Sequence, residues 1–386
     1  MSMHISRELR KFLAPEFIFG WEARRLAGRF AHLLGVTKAL LVTDEGVMQA
    51  GWAGQVQANL EQNGISTVLF SGLTSNPKDH EMMAGTDRYR RCGCDGIVAV
   101  GGGSSLDCAK GIGVVAANSG HILDYIGVDE INIPSPPLIC VPTTAGSSAD
   151  VSQFAVVTDT EAATKRAIVS KMVVPDVSLI DPETTVTMDA ELTAHSGIDA
   201  LCHACEAYAS NASSPITDLH ALEGARLAAR WLPEAVRELD NVEARTQMML
   251  ASLHAGLAFS NASLGAVHAM SHVMGGMLDL PHGECNALLL GVVGRYNARE
   301  YPERYARLVE TITGRACESD EVPECFQQAI QSLREEVGVT GGLKSVGITE
   351  DQLPALADKA MRDACVVTNP RRVSQEDLEE LYAEAL

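Results

Sequence analysis

Between Gly20 and Gly120 the chain alternates two hydrophobic rhythms. Apolar residues at helical spacing in Trp21–Leu34, Val47–Gln62 and Asp79–Arg91 predict amphipathic helices, and the short apolar runs Lys38–Thr43, Ser66–Phe70 and Gly96–Val100 predict buried strands between them. That alternation is the mark of an open α/β sheet. Leu138–Val141 and Val177–Ile180 read as two further strands. At Asp181-Pro182 the rhythm changes, since proline disfavours helix at the residue before it. Beyond it helices dominate: Ala190–Ser210, Thr217–Leu239, Val242–Phe259, Ser263–Leu278 and several more to the end. The expected organisation is an α/β domain over residues 1–181 and an all-α domain over residues 182–386.

The strand Gly96–Val100 runs straight into Gly101-Gly102-Gly103-Ser104 and on to Lys110. Glycines there let the backbone approach a ligand, and Ser104 is placed to cap the next helix, with amide N–H groups facing a pyrophosphate. An ordinary tight turn explains the same residues, because this is not the G-x-G-x-x-G fingerprint. Asp44, at the end of an early strand, reads two ways. It can accept hydrogen bonds from an adenosine ribose and repel a 2′-phosphate, which favours NAD over NADP, or it can cap a helix. The hydroxyl-rich Pro142–Asp150 segment, with Thr143, Thr144 and Ser147, is either turn chemistry or the polar wall of a ligand site.

The helical half carries a different chemistry. Asp199 and His203 stand four apart, as do His268 and His272, and that spacing stacks side chains on one helix face. His282 follows in Pro281-His282-Gly283. One acid and three histidines can close around a divalent cation, and spacing alone does not tell ligand from neighbour in the His268/His272 pair.

GIDALCHACEAY, GAVHAMSH and LPHGECNALLL, with these residues in them, resemble the iron-dependent (group III) alcohol dehydrogenases, and the likeness runs from about Phe12 to the end. The resemblance implies a Rossmann-like dinucleotide-binding domain followed by a helical metal-binding domain, the dehydroquinate synthase-like architecture. It implies Asp199, His203, His268 and His282 as metal ligands, with His272 close by but not ligating. It also implies cofactor contacts at Asn76, Gly102, Gly103, Ser104, Ser152, Phe154, Lys165 and Thr184, and makes Pro142–Asp150 part of the cofactor cleft. Its last four residues, Ser147-Ser148-Ala149-Asp150, depart from the family's T-G-S-E. By the same resemblance the cofactors are NAD and Fe2+, with Zn2+ as the other candidate ion, and the assembly is a homodimer or larger, the Phe12–Phe19 stretch serving at the subunit contact.

Composition narrows the field further. At 386 residues the chain is large enough for two cores, and its 46% hydrophobic content includes no apolar run of membrane length. Met1–Leu13 lacks the apolar core of a secretory signal, so a cytoplasmic location is expected. A net charge of −20 argues against nucleic acid. The ten cysteines sit in apolar contexts and read as reduced thiols, with no four-ligand zinc pattern among them.

The expected reaction is therefore metal-dependent, reversible hydride transfer between NAD(H) and a small primary alcohol or its aldehyde, diols and sulfonated aldehydes included. His272 is the expected catalytic proton relay. Two other readings compete: a metal- and NAD-dependent lyase acting on a phosphorylated sugar, which wants several Lys and Arg in the cleft, and a non-catalytic nucleotide sensor, which would have lost the ligands.

Overall fold

The computed structural model describes residues 11–386. The expectation drawn from Met1–Leu13 lies almost wholly outside that range. Among the described residues nine strands appear in chain order: β1 (Glu16–Phe19), β2 (Lys38–Val42), β3 (Ser66–Phe70), β4 (Gly96–Gly101), β5 (Gly127–Val128), β6 (Leu138–Pro142), β7 (Phe154–Asp159), β8 (Thr164–Val169) and β9 (Val177–Ile180). Six of them form one parallel sheet in the order β1-β9-β6-β4-β2-β3.

From β2 the chain steps outward to β3, returns to β4 on the other side of β2, and continues away through β6 and β9. The order reverses between β2 and β4, which opens a crevice beyond their carboxyl ends, the place where open α/β sheets bind ligands. Asp44 and Gly101–Gly103 stand there.

Period-two alternation divides the strands between two cores. Leu40, Val42, Ile97 and Ala99 pack on one face with α4 (Asp79–Cys92) and α5 (Gly103–Ala117). Ala39, Leu41, Val98 and Val100 pack on the other with α1 (Ala27–Leu33) and α3 (Trp52–Gln62). Two predicted helices are interrupted. The first opens with a 3-10 turn after Glu22, at φ 66°, and the second breaks into α2 (Glu45–Gln49) and α3 at Gly51, where φ is +85°. A left-handed residue cannot continue a right-handed helix.

A smaller sheet, β5-β8-β7, stands beside the crevice. Its β7–β8 hairpin places Lys165 on a buried strand.

After β9 come α6 (Ala190–Ala209), α7 (Pro215–Arg237), α8 (Val242–Ala262), α9 (Ala266–Leu278), α10 (His282–Ala298), α11 (Pro302–Thr313), α12 (Val322–Glu336), α13 (Leu353–Ala360) and α14 (Gln375–Ala385). They share one continuous core, into which α6 buries most of its length. No helix among the described residues is long and apolar enough to cross a membrane. One cysteine expectation fails: Cys317 and Cys325 are joined as a disulfide, because the start of α12 returns the chain to the preceding loop. The other eight are free.

Candidate active site

A cavity of about 640 Å³ runs between the crevice and the helical half. At its sheet end α5 begins directly after β4 with Gly102 at the N-cap, and no side chain caps the helix. Ser104 is thus inside the first turn rather than capping it, and the first amides of α5 are left without a capping acceptor, as an anion site requires. Gly101 takes φ +159°, and a Cβ there would meet Ser105 Oγ at 2.4 Å. A Cβ on Gly103 would come within 2.8 Å of Ser147, and one on Gly102 within 3.1 Å of Thr144. The glycine turn and the hydroxyl-rich loop are therefore in contact, two walls of one cradle.

Asp44 satisfies the helix-cap reading: its Oδ1 accepts the Val47 N–H at 3.0 Å. Its Oδ2 accepts from Ser105 Oγ at 2.7 Å across the switch point, and the carboxylate still lines the cavity. Asn76, at φ 55°, donates its amide to Asp279 Oδ1 at 2.7 Å and so ties the sheet half to the helical half. Ser152 and Phe154 are fixed by Lys110, a fully buried ammonium that donates to Ser152 O at 2.9 Å, Ser152 Oγ at 3.1 Å and Phe154 O at 2.7 Å. Asp44, Asn76, Gly102, Gly103, Ser104, Thr143, Thr144, Ser147, Ser152, Phe154 and Lys165 all line the cavity. Thr184 does not. Its buried hydroxyl is spent on the carbonyls of Pro142 and Asp181, which pins the loop behind the wall.

The far end is built by three helices. Asp199 and His203 come from α6, His268 from α9 and His282 from the first turn of α10. One donor atom from each lies within 4.8 Å of the others. The Nε2 atoms of His203, His268 and His282 stand 3.8, 3.8 and 3.9 Å from Asp199 Oδ1.

The protonation pattern fits a cation. His203 Nδ1 faces the Gly146 carbonyl at 3.2 Å, an acceptor only, so Nδ1 carries the proton and Nε2 keeps its lone pair. His268 Nδ1 is held by Glu206 Oε2 at 2.5 Å, with the same result. The amide of Asn286 sits against this convergence, 2.7 Å from Asp199 Oδ1 and 3.2 Å from Nε2 of both His268 and His282, while its Oδ1 and His282 Nδ1 are buried without partners. Three lone pairs and a carboxylate oxygen aimed at one region are what a divalent metal needs. Burial, then the nearby His203, holds His268 well below the ordinary histidine range, and burial with Lys165 does the same to His282, so both rings are neutral. Burial also pushes Glu206 up to about 7.

His272 lies one turn beyond His268 and lines the cavity, its Nδ1 2.9 Å from Asp363 Oδ2. Phe259 stacks on His203 with ring centres 4.4 Å apart and meets Phe154 at 5.8 Å, so an apolar wall abuts the cluster. Three residues given no role from sequence belong here. Glu206 and Asp363 orient imidazoles, and Asp107, one helical turn into α5, lines the cavity with its carboxyl pushed up to about 6 by burial. Asp107 was visible in the glycine-turn run, but only the fold shows that α5 aims it at the cleft.

A parallel sheet with an anion cradle at its switch point, facing a buried acid–histidine cluster, defines a metal-dependent, nucleotide-linked oxidoreductase. Residues 14–182 match the family model described as iron-containing alcohol dehydrogenase, and residues 193–386 match that family's C-terminal model. The 1,3-propanediol dehydrogenase of Citrobacter freundii is 39% identical over 99% of this chain and 100% of its own length. The NAD-dependent methanol dehydrogenase of Bacillus methanolicus is 34% identical over 97% of this chain and 99% of its own. A crystal structure of a 1,3-propanediol oxidoreductase superposes with a TM-score of 0.95 at 39% identity, covering 98% of this chain and 100% of that one. The chain belongs to the iron-containing alcohol dehydrogenase family. It is an NAD-linked oxidoreductase interconverting alcohols and aldehydes.

Proposed function

We propose that Asp199, His203, His268 and His282 hold the catalytic iron, and that the α5 amides, Asp44, Asn76 and the Thr143–Ser147 loop hold NAD. The observation that carries this reading is the set of three imidazole lone pairs around Asp199 Oδ1 at the end of a cavity that begins at the glycine turn. When bound, the ion supplies Lewis-acid polarisation of the substrate oxygen and the nicotinamide supplies the hydride chemistry. The chain's own part is to place and to dry the site. Phe154 and Phe259 exclude water beside the cluster, Lys110 fixes the backbone from Ser152 to Phe154, and His272 moves the alcohol proton toward solvent with Asp363 behind it. A His272→Ala variant with wild-type turnover and pH–rate profile would remove the relay.

The substrates are small primary alcohols, diols and their aldehydes, in keeping with the aromatic wall at the metal end. Lys165 is the single lysine or arginine lining the cavity among the described residues, which tells against a phosphorylated sugar and hence the lyase reading. The intact ligand set tells against a sensor. The domain boundary at residues 181/182 belongs to the same reading, supported by the first family match ending at residue 182 and the second beginning at residue 193. So do a cytoplasmic setting and a homo-oligomer; the second is supported by β1 being an edge strand with Phe17 exposed and Phe12 exposed just before it. The deciding experiment is an NADH-oxidation screen over small aldehydes, with iron or zinc restored to metal-free protein. Full metal loading without oxidation of NADH by any aldehyde offered would end the proposal.

A further inference from the structure

Beside the four-residue cluster the cavity holds a second group of donors. His272 Nδ1 and Asp363 Oδ2 are 2.9 Å apart, and the Cys365 N–H donates to Asp363 Oδ1 at 2.8 Å. One donor atom from each of His272, Asp363 and Cys365 lies within 4.8 Å of the other two. His272 and Cys365 both line the cavity, so an ion can reach them from the cleft and keep a water as fourth ligand. The two groups differ in kind. The first offers nitrogen and oxygen only, whereas the second includes a sulfur, the donor that selects soft, thiophilic metals. A third trio, Cys202, Glu206 and His268, is buried and already internally bonded, and Cys202 and Glu206 do not line the cavity.

We propose that His272, Asp363 and Cys365 form a second cation site for thiophilic divalent ions such as zinc or cadmium, separate from the iron ligands, and that its occupation blocks turnover. The ion takes the place of the hydrogen between His272 Nδ1 and Asp363 Oδ2. The ring proton moves to Nε2, and the Cys365 thiol releases its proton to solvent so that sulfur binds as thiolate. Burial holds that thiol well above the ordinary cysteine range, so an ion that bonds sulfur weakly does not displace the proton. The block rests on His272 being the relay; the binding does not.

The test is to titrate iron-loaded protein with Cd2+ while following the ultraviolet thiolate-to-cadmium absorption, NADH oxidation and iron content together. The expected result is a sulfur band complete at one equivalent, turnover lost in step, and iron retained. Cys365→Ser abolishes the band and weakens inhibition about tenfold or more, Asp363→Asn shifts the band to about tenfold higher Cd2+, and Cys202→Ser retains the band. No band in wild-type protein, a band that survives in Cys365→Ser, or release of iron in step with the band overturns the site. A Cys365-dependent band with undiminished turnover keeps the site but overturns the block, and with it the relay role of His272.

Discussion

Glu206 Oε2 lies 2.5 Å from Nδ1 of His268, and Oε1 of the same buried carboxylate accepts the Val267 N–H at 2.8 Å. The carboxylate thereby sets the ring's angle and its tautomer. Glu206→Gln keeps the shape but removes the charge, and is expected to weaken iron affinity by about 10- to 100-fold. Competition with a chelator measures it. Unchanged affinity would mean that ring packing alone orients His268.

Asp363 stands behind His272 in the same way. Its carboxyl is held below the usual aspartate range by the His272 imidazole, in opposition to burial. Asp363→Asn is expected to lower turnover roughly 100-fold while NADH affinity, read by fluorescence titration, stays within about twofold. Equal losses in both would point to a collapsed loop instead of a disabled relay.

Asp44 combines cap and cavity roles, and the two can be separated. Serine is an equally good N-cap, so Asp44→Ser should keep the cap and lower stability only by the lost hydrogen bond from Ser105, about 1 kcal/mol. The ratio of kcat/KM for NADPH to that for NADH should rise about tenfold or more, because the charge that repels a 2′-phosphate is gone. A ratio that does not move would confine Asp44 to capping α2.

Asp107 gives stability a pH dependence. Its carboxyl rises from 3.8 to about 6 on folding, chiefly through burial, so the native state holds a proton that the unfolded chain releases first. Its contribution is therefore fully present below about pH 4 and is lost as pH climbs through 6, by up to about 3 kcal/mol. Urea unfolding of metal-free protein should show Asp107→Asn gaining on wild type between those values and keeping a constant lead above them. A difference independent of pH would refute the shift.

The inner strands β2, β4, β6 and β9 of the large sheet were legible because they are buried on both faces and bounded by turn residues. The four-residue spacings of Asp199 and His203 on α6 and of His268 and His272 on α9 were legible because four residues make about one turn. Where expectation and structure part, the cause is long-range contact. The β7–β8 hairpin that carries Lys165 was not predicted, because the lysine and arginine in β8 obscured the strand that follows the Thr160–Ala163 turn. Thr184 faces carbonyls instead of ligand because the 3-10 turn after Asp181 rotates it inward. Cys317 and Cys325 meet only once α12 is packed. Glu206 and Asp363 sit 62 and 91 residues from the histidines they orient, beyond any local pattern.

His203 reaches out of the helical half to bond the Gly146 carbonyl, in the loop that walls the nucleotide cradle, and a Cβ on Gly146 would strike Ser196 on α6 at 2.5 Å. The two halves are thus latched by a side chain of the acid–histidine cluster itself. Spreading them far enough to admit or release a dinucleotide strains the latch, so protein stripped of its ion should breathe more widely at the cleft than loaded protein. Loss of the metal would then loosen the hold on the coenzyme too, although no atom of the glycine turn has changed.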